Sequence, residues 1–373
     1  MQFDQITGQK QLKEQLLGFV NSGRIPHAQI FLGPPGCGKL ALAIAFAQYV
    51  LCENKLGNES CGQCKACIKS KKLIHPDIHF SYPTVGSKMT SNSFSEEWRE
   101  AVLEQPYMNV NQWLQAIGAE NKQGNITVDE CNNIVKKLSL KIFEGSHKIL
   151  IMWLPEYLGK EGNRLLKLIE EPPENTLFIL VAERLELILQ TIRSRCQLVK
   201  VNPLSDEDVI AGLLKKQPEA ESRVQSIAHL ANGNFNEALG LLAQNENDQA
   251  TRFLEWMRKC YKGNGVELVK WGESFAKAGR ENQKQFVRYS LHFLREYLSL
   301  KMTGNNNIRL GSEEQKTAQN LTKVLSFEQV QKIAALLDDC YYHIERNANP
   351  KILFLDLSIK MNRILKNQVA VTR

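Results

Sequence analysis

Residues 33–39, GPPGCGK in one-letter code, constrain this chain more than any other feature, because they match the phosphate-loop pattern G-x-x-x-x-G-K. In such a loop, glycines let backbone N–H groups approach a phosphate, and the lysine side chain reaches it. The flanking runs supply the required context: residues 28–33 predict a short strand and residues 40–51 predict an Ala- and Leu-rich helix. The candidate cofactor-binding residues are Gly33, Gly36, Gly38 and Lys39.

Two groups that a nucleotide-hydrolysing loop needs are missing. The residue after Lys39 should be a serine or threonine that ligates Mg²⁺, and here it is Leu40. A second metal-holding carboxylate is expected at the end of the apolar run 149–152, where the sequence has Trp153, and the nearest carboxylate, Glu156, lies past a proline. Because the metal neutralises charge that develops during hydrolysis, these changes favour weak or absent binding of ATP or ADP. The alternative is a structural glycine turn that keeps the shape of the loop.

The rest of the N-terminal part alternates strands with helices. Continuous apolar runs at 149–153 and 176–182 predict strands that are covered on both faces, and residues 197–201 suggest one more. Helices are predicted at 128–141, 161–171 and 185–192. This alternation predicts an α/β fold with a parallel sheet.

One stretch, residues 79–125, lacks a regular pattern and is interrupted by prolines and glycines. Within it, Trp98 and Trp113 lie in short helical patterns, and we expect them to anchor a local core, with an interface to a neighbouring subunit as the alternative. Immediately afterwards, Thr127 and Glu130 have the spacing of a capping box at the start of a helix.

The pattern becomes purely helical after Pro203, which predicts three domains. These are an α/β domain at 1–202, a small helical domain at 203–245 and a larger helical domain at 246–373. The chain carries 47 basic and 40 acidic residues, a net charge of +7, and the last domain alone has 21 basic and 14 acidic residues. This surplus permits an anionic partner without requiring one, since mixed charges are more typical of a salt-bridged helical surface.

Composition excludes two classes of protein. The longest uncharged apolar stretch, residues 40–52, has 13 residues and is shorter than the roughly 18 that a membrane span needs. No basic region followed by an apolar core stands at the N-terminus, so we expect no secretory signal. Nine cysteines, three of them within seven residues, indicate metal ligation in a reducing compartment and hence a cytoplasmic location.

Four cysteines have the spacing of metal ligands: Cys52, Cys61, Cys64 and Cys67 follow C-x8-C-x2-C-x2-C. Two-residue spacers allow successive thiolates to converge on one ion, and four thiolates make a closed tetrahedral zinc site of the structural kind. An iron–sulfur cluster is the competing reading, but its motif continues with C-x3-C-P, which is absent after Cys67. The prediction is therefore a structural zinc module at 52–67.

Taken together, these segments resemble the delta-prime subunits of bacterial DNA polymerase III clamp loaders, members of the AAA+ superfamily. The resemblance rests on the phosphate loop, the cysteine module, and three further runs: IPHA at 25–28, NRLLKLIEEPP at 163–173 and TIRSRC at 191–196. It implies a P-loop AAA+ sheet with an inserted zinc module, a helical lid at 203–245 and an all-α collar at 246–373. It is strong over residues 1–200 and rests only on helical pattern after 245.

The resemblance implies a stator in a five-membered ring with the gamma or tau ATPase subunits and the delta subunit, acting through that complex on a sliding clamp and primed DNA. Such a subunit hydrolyses little or no ATP itself but offers an arginine to the nucleotide of a neighbour, and the matching residue here is Arg195. Two sensor positions of working ATPases are also altered. They align with Arg184 and Asn236.

Two other functions remain open at this stage. One is an ATP-hydrolysing AAA+ motor subunit with unconventional metal ligands, against which Leu40, Trp153 and Asn236 all count. The other is a zinc-dependent DNA-binding protein in which the α/β domain is only a scaffold. Whether the isolated chain is an enzyme stays undecided, and we expect it to be non-catalytic alone, as a component of a DNA-directed DNA polymerase holoenzyme.

Overall fold

A computed structural model describes residues 1–120, 122–243, 247–303, 310, 312–322, 325–346 and 348–366. The chain divides into two compact units, Met1–Gly240 and Leu241–Arg373. The predicted boundary at residues 245–246 lies outside the described residues, and the one at 202–203 stays a prediction. Among the residues described, no helix is both long and apolar enough to cross a bilayer.

A five-stranded parallel sheet forms the centre of the first unit. Its strands are β1 (Ala28–Leu32), β2 (Ile78–Ser81), β3 (Lys148–Trp153), β4 (Thr176–Ala182) and β5 (Gln197–Lys200). The order across the sheet is β2-β3-β4-β1-β5, and all four pairings are parallel, with Ala28 opposite Phe178 and Lys148 opposite Thr176. The predicted α/β class with a parallel sheet is confirmed. Every residue of β3 and β4 is buried, as their continuous apolar runs predict.

Eleven α-helices accompany the sheet among the described residues up to Ala243. They are α1 (Lys10–Asn21), α2 (Lys39–Leu51), α3 (Lys65–Lys71), α4 (Ser95–Glu104), α5 (Val110–Ala116), α6 (Val128–Ser139), α7 (Leu166–Glu170), α8 (Gln190–Arg193), α9 (Asp206–Lys216), α10 (Glu221–Ala231) and α11 (Phe235–Ala243). All thirteen residues of α2 are buried, and its alternating alanines let it pack closely against the sheet.

Two predicted helices are wrong in detail. The predicted 161–171 helix is divided: residues 161–165 belong to a 3₁₀ helix, Pro155–Leu165, and only Leu166–Glu170 is α-helical. The 185–192 helix is divided into a 3₁₀ turn, Leu185–Leu187, and α8, because the intervening residues are extended.

The sheet has a separate core on each face, as the two-residue period of a strand requires. On one face, Ile151 and Ile179 pack with the buried side chains of α2. On the other, Leu150 and Leu180 pack with α6 and α7, for example with Ile134. The packing on these two faces therefore fixes the positions of both α2 and β3 relative to the sheet.

The connection from β2 to α6, residues 82–127, is here termed the β2–α6 segment. Its centre is an aromatic cluster in which Trp98 stacks on Tyr82 with ring centroids 4.0 Å apart and meets Trp113 edge-on at 5.2 Å. Both tryptophans are buried, so the expectation that they anchor a local core is confirmed. The predicted capping box is only half formed. Thr127 accepts the N–H of Glu130, but the Glu130 carboxylate binds the N–H and hydroxyl of Ser91 instead.

The second unit is helical throughout its described residues. Its helices are α12 (Asn247–Lys262), α13 (Gly265–Ala276), α14 (Arg280–Thr303), α15 (Ser312–Leu321), α16 (Phe327–Glu345) and α17 (Pro350–Lys366). Aromatic residues dominate its core, among them Phe253, Trp256, Phe286 and Phe354. The Trp256 indole N–H donates to the Ser358 hydroxyl at 2.8 Å, which satisfies the one polar atom of that buried ring.

Candidate functional site

The phosphate loop lies between β1 and α2, as its sequence requires. Gly36 (φ 70°) and Gly38 (φ 91°) adopt left-handed conformations, and Gly38 is the N-cap of α2. A Cβ at Gly33 would overlap the carbonyl oxygen of Val201. The three glycines are therefore needed for the path of the backbone, whatever the loop binds.

Lys39 is committed to protein groups. Its ammonium donates to the carbonyl of Pro34 at 2.5 Å, lies 3.8 Å from the Glu183 carboxylate, and the residue is only 5% exposed. Burial raises the pKa of Glu183, and the positive charge of Lys39 opposes that rise. Sequence reasoning did not select Glu183, which follows β4 directly and stands one residue before the aligned sensor position, Arg184. Glu156 accepts the backbone N–H groups of both Glu183 and Arg184, which makes it a structural ligand of this turn.

The positions that would hold Mg²⁺ are occupied by apolar side chains. Leu40 is 4% exposed and lies in the core between the sheet and α2. Trp153 at the end of β3 is 3% exposed, and its ring lies 5.4 Å from that of Trp98. At the second sensor position, the Asn236 amide donates to Gln112 at 2.9 Å and accepts from Gln105 at 3.3 Å. Neither the Leu40 nor the Trp153 side chain has an oxygen atom that could ligate Mg²⁺.

Two further residues that the sequence analysis missed touch the loop. A Cβ at Gly36 would overlap the side-chain oxygen of Asn234, and a Cβ at Gly38 would lie 3.1 Å from the ring of Tyr107. The backbone N–H of Phe235 also donates to the carbonyl of Gly36 at 3.0 Å. No local sequence signal marks these partners, because they lie about 70 and 200 positions away along the chain.

The four predicted metal ligands converge. The sulfur atoms of Cys52, Cys61, Cys64 and Cys67 all lie within 4.8 Å of one another. Cys64 is the N-cap of α3, and Gly62 (φ 70°) makes the tight turn between the second and third cysteines. The Cys61 and Cys67 sulfurs are 3.9 Å apart. Four sulfurs at about 2.3 Å from a tetrahedral zinc ion would be about 3.8 Å apart, so the donor set fits this metal.

Backbone N–H groups surround the sulfurs. Cys61 donates to the Cys52 sulfur at 3.2 Å, Cys64 donates to that of Cys61 at 3.3 Å, and Cys67 donates to that of Cys64 at 3.4 Å. Hydrogen bonds from Cys64 and Gln63 lower the pKa of Cys61 to about 6, whereas burial raises the pKa of Cys52 and of Cys67. Such N–H···S bonds favour thiolates, the form that ligates a metal.

The cysteine module is tied to the N-terminal part of the unit. The Glu59 carboxylate accepts the backbone N–H groups of Phe3 and Asp4, and the Gln48 amide of α2 donates to the Ser60 hydroxyl. The Tyr49 hydroxyl donates to the Gly57 carbonyl at 2.9 Å. Through these bonds, the conformation of the module affects both the chain start and α2.

The predicted arginine lies apart from both sites. Arg195 follows α8 just before β5, its side chain is 37% exposed, and its Nε lies 2.5 Å from the Glu170 carboxylate at the end of α7. Its Nη1 donates to the Thr191 carbonyl at 2.8 Å. The guanidinium is thus held at the surface by two neighbouring elements. Nothing in the spacing of the sequence pointed to Glu170 as its partner.

A parallel five-stranded sheet with a phosphate loop between β1 and α2 defines an α/β protein of the P-loop class. Within that class, residues 8–205 match the family described as "DNA polymerase III, delta subunit", which is 198 of the 373 residues. The chain therefore belongs to this family. The predicted resemblance to AAA+ clamp-loader subunits of the delta-prime type is confirmed.

Individual relatives agree with the family. The DNA polymerase III subunit delta' of Escherichia coli is 26% identical over 244 residues, which is 65% of this chain and 61% of that protein. Subunit tau of Bacillus subtilis is 28% identical over 249 residues, 65% of this chain and 37% of that protein. A subunit gamma of Buchnera aphidicola is 30% identical over 245 residues, 64% of this chain and 57% of that protein. The chain thus spans from about a third to three fifths of the length of these relatives.

Proposed function

We propose that this chain is a non-hydrolysing stator subunit of a DNA polymerase III clamp loader, which helps to load the sliding clamp onto primed DNA during replication. One observation carries the proposal. The positions that would hold Mg²⁺ at the phosphate loop are buried and apolar, Leu40 and Trp153, while Arg195 stands at the surface. A chain that cannot position its own metal but presents a guanidinium is suited to assist a neighbour's site.

The partners follow from the relatives. Their names include subunits delta', gamma and tau of DNA polymerase III. We infer a five-membered ring with gamma or tau ATPase subunits and a delta subunit, in which this chain reaches the sliding clamp and primed DNA through the assembly. In this arrangement the helices at 203–245 act as the lid and those at 246–373 as the collar.

The chemistry of Arg195 is electrostatic. A guanidinium placed against a γ-phosphate stabilises the charge that develops during phosphoryl transfer, and an arginine supplied in trans is worth about 10³–10⁵ in rate at the site it serves. The Arg195 guanidinium is already bound by Glu170 and Thr191, so the side chain is partly ordered before a neighbouring subunit binds. Binding to the neighbour's phosphate would replace the Glu170 carboxylate with another anion.

The four cysteines belong to this proposal as a structural zinc site. Four thiolates complete a tetrahedral shell, so no position remains for a reactive water. The ion would hold residues 52–67 together and, through Glu59, the first residues of the chain. Zinc therefore supports the fold and takes no part in phosphoryl transfer.

Neither alternative function gains support. A motor subunit needs a metal-holding hydroxyl and carboxylate at Leu40 and Trp153, and both side chains are in the core. For the DNA-binding alternative, Lys69 on α3 is paired with Glu144 at 2.6 Å, and the exposed Lys65, Lys71 and Lys72 are equally typical of a solvated helix face. The stator remains the function that the site geometry favours.

The decisive experiment uses a loader reconstituted from this chain and its cognate partner subunits, with primed DNA and clamp present. Replacing Arg195→Ala should remove the contribution of one ATP site to DNA-stimulated hydrolysis and should slow clamp loading. Arg195→Lys should be almost as impaired in ATP hydrolysis as Arg195→Ala, because the lysine ammonium is a point charge and does not reproduce the planar guanidinium. The purified chain alone should show no ATP turnover.

Arg193→Ala is the matched control, because Arg193 is the last residue of α8, lies two positions before Arg195 and is also exposed. It should leave ATP hydrolysis by the reconstituted loader unchanged. If the two alanine variants behave alike, Arg195 is not the finger. Steady ATP turnover by the isolated chain, abolished by Lys39→Ala, would establish the motor function instead.

A further inference from the structure

The stator function leaves the β2–α6 segment without a role, although the segment has a well-packed interior. Tyr82, Trp98 and Trp113 are all at most 2% exposed, and the Trp113 indole N–H donates to the Pro83 carbonyl at 2.7 Å. The cluster is completed by Trp153, the residue that stands where a metal-holding carboxylate is expected. The segment therefore packs against Trp153, which takes the place of the expected carboxylate.

From this anchor, the turn between α4 and α5 brings Tyr107 to the phosphate loop. The ring lies against Gly38, and the tyrosine hydroxyl accepts the backbone N–H of Thr7 at 3.0 Å. On its other side, the ring meets Phe235 at the start of α11 edge-on, with centroids 4.9 Å apart. Tyr107 is 6% exposed, so it is a packed component of this site.

Tyr107 also borders a cavity. A space of about 450 Å³ lies beside its ring, bordered among others by Ile6, Gly8, Ala41 and Phe235. Among the described residues that line this space, none belongs to the loop 33–39. Its volume is within the range of small-ligand pockets, roughly 300–1,000 Å³. Tyr107 and Phe235 both border this space and contact the loop, so a nucleotide that reached from the loop into the cavity would compete with these residues.

The same segment holds α11 in place through polar bonds. Gln105 and Gln112, on either side of Tyr107, both hydrogen-bond the Asn236 amide. The neighbouring Asn234 and Phe235 touch Gly36 of the loop by side chain and backbone respectively. The loop, the β2–α6 segment and α11 thus form one continuous set of contacts.

We propose that the β2–α6 segment is a built-in substitute for bound nucleotide: Tyr107 closes the phosphate loop and holds α11 against it, so this subunit stays in one conformation whatever the concentration of ATP or ADP. A ligand that contacts two elements stabilises their closed arrangement only while it is bound. A side chain of the same polypeptide does so permanently. The proposal goes beyond the stator function and does not depend on the role of Arg195.

The experiment compares hydrogen exchange in the full-length chain and in Tyr107→Ala. Loss of the ring should raise exchange of the α11 amides, Phe235–Ala243, by about tenfold or more, while amides of β3 and β4 keep their protection. Tyr107→Phe, which keeps the ring and loses only the hydroxyl, should show a much smaller increase. Glu100→Ala, an exposed change on α4, should match the unaltered chain.

ADP, with and without Mg²⁺, is the probe for the vacated site. It should leave exchange and thermal unfolding of the unaltered chain unchanged at millimolar concentration, and it should restore protection of α11 in Tyr107→Ala. Near-ultraviolet circular dichroism of the tryptophan cluster checks that the variant remains folded. ADP binding by the unaltered chain, equal exchange in Tyr107→Ala and Glu100→Ala, or a failure of ADP to protect the folded Tyr107→Ala variant would each overturn the proposal. None of these results would alter the expected effect of Arg195→Ala on loader activity.

Discussion

The cysteine module and the phosphate loop are both short, glycine-containing turns that lead into a helix, yet their polar atoms are arranged in opposite ways. In the module, four sulfurs face a common centre and receive N–H donors from within the module itself. In the loop, the Lys39 ammonium is bound by Pro34 and Glu183, and Gly38 is covered by Tyr107. The sulfurs of the module thus converge on one centre, whereas the lysine of the loop is occupied by other protein groups.

The cysteine module and the phosphate loop also differ in how far apart their contacting residues lie in the sequence. All four ligands of the module fall within sixteen residues, so local turns alone bring them together. The phosphate loop is contacted by residues far away in the sequence, among them Glu183, Asn234 and Tyr107. A local motif therefore predicts that the four sulfurs converge, but it does not predict the contacts of the phosphate loop.

Metal removal should produce the largest effect. We expect one zinc ion per chain by elemental analysis, and we expect chelation or Cys64→Ser to lower the melting temperature of the first unit strongly. Small zinc domains gain roughly 10–16 kcal/mol of apparent free energy from the ion, and the module adjoins the chain start and α2. Increased hydrogen exchange over residues 1–6 and 52–67 would locate the change.

Cys196→Ser is the control for this experiment, since Cys196 is also partly buried but lies outside the cluster. Its metal content should equal that of the unaltered chain. A chain that is purified without zinc and melts at the same temperature with or without chelator would remove the contrast between the two sites.

The predictable parts of the molecule are those encoded by neighbouring residues. The apolar runs of β3 and β4 and the cysteine spacing led to the correct elements. Strand β2 was missed because its four residues, Ile78–Ser81, include a histidine and a serine and carry no continuous apolar run. Tyr107, Asn234 and Glu183 were missed for a different reason. These residues contact the phosphate loop only once the sheet and helices are assembled. The sequence around each of them has no pattern that predicts such a contact.

Trp98→Ala should have the second-largest effect. The side chain is 2% exposed and packs against Tyr82, Trp113 and Trp153, so its removal should cost the first unit about 3–5 kcal/mol in free energy of unfolding. Zinc content should not change, because the cluster shares no residue with the cysteine module. Chemical denaturation followed by circular dichroism, together with metal analysis, measures both quantities.

Trp256→Ala provides a matched comparison in the second unit, where that ring is fully buried among Phe253, Trp271 and Phe286. Hydrogen exchange should show loosening of α12 to α17 in this variant and of the β2–α6 segment in Trp98→Ala. Loss of zinc from Trp98→Ala would mean that the aromatic cluster and the cysteine module are energetically coupled.

The smallest effect is expected at the Arg195–Glu170 pair. Both side chains are more than a third exposed, so solvent screens their attraction, and exposed pairs contribute about 0–1 kcal/mol. Arg195→Ala, Glu170→Gln and the double variant should therefore all unfold within about 1 kcal/mol of the unaltered chain, and their coupling should fall further as salt is added. Denaturant titrations at two ionic strengths test this. A coupling above about 2 kcal/mol would make Arg195 a structural residue, and a loss of loader activity in Arg195→Ala would then report on folding instead of on transition-state charge.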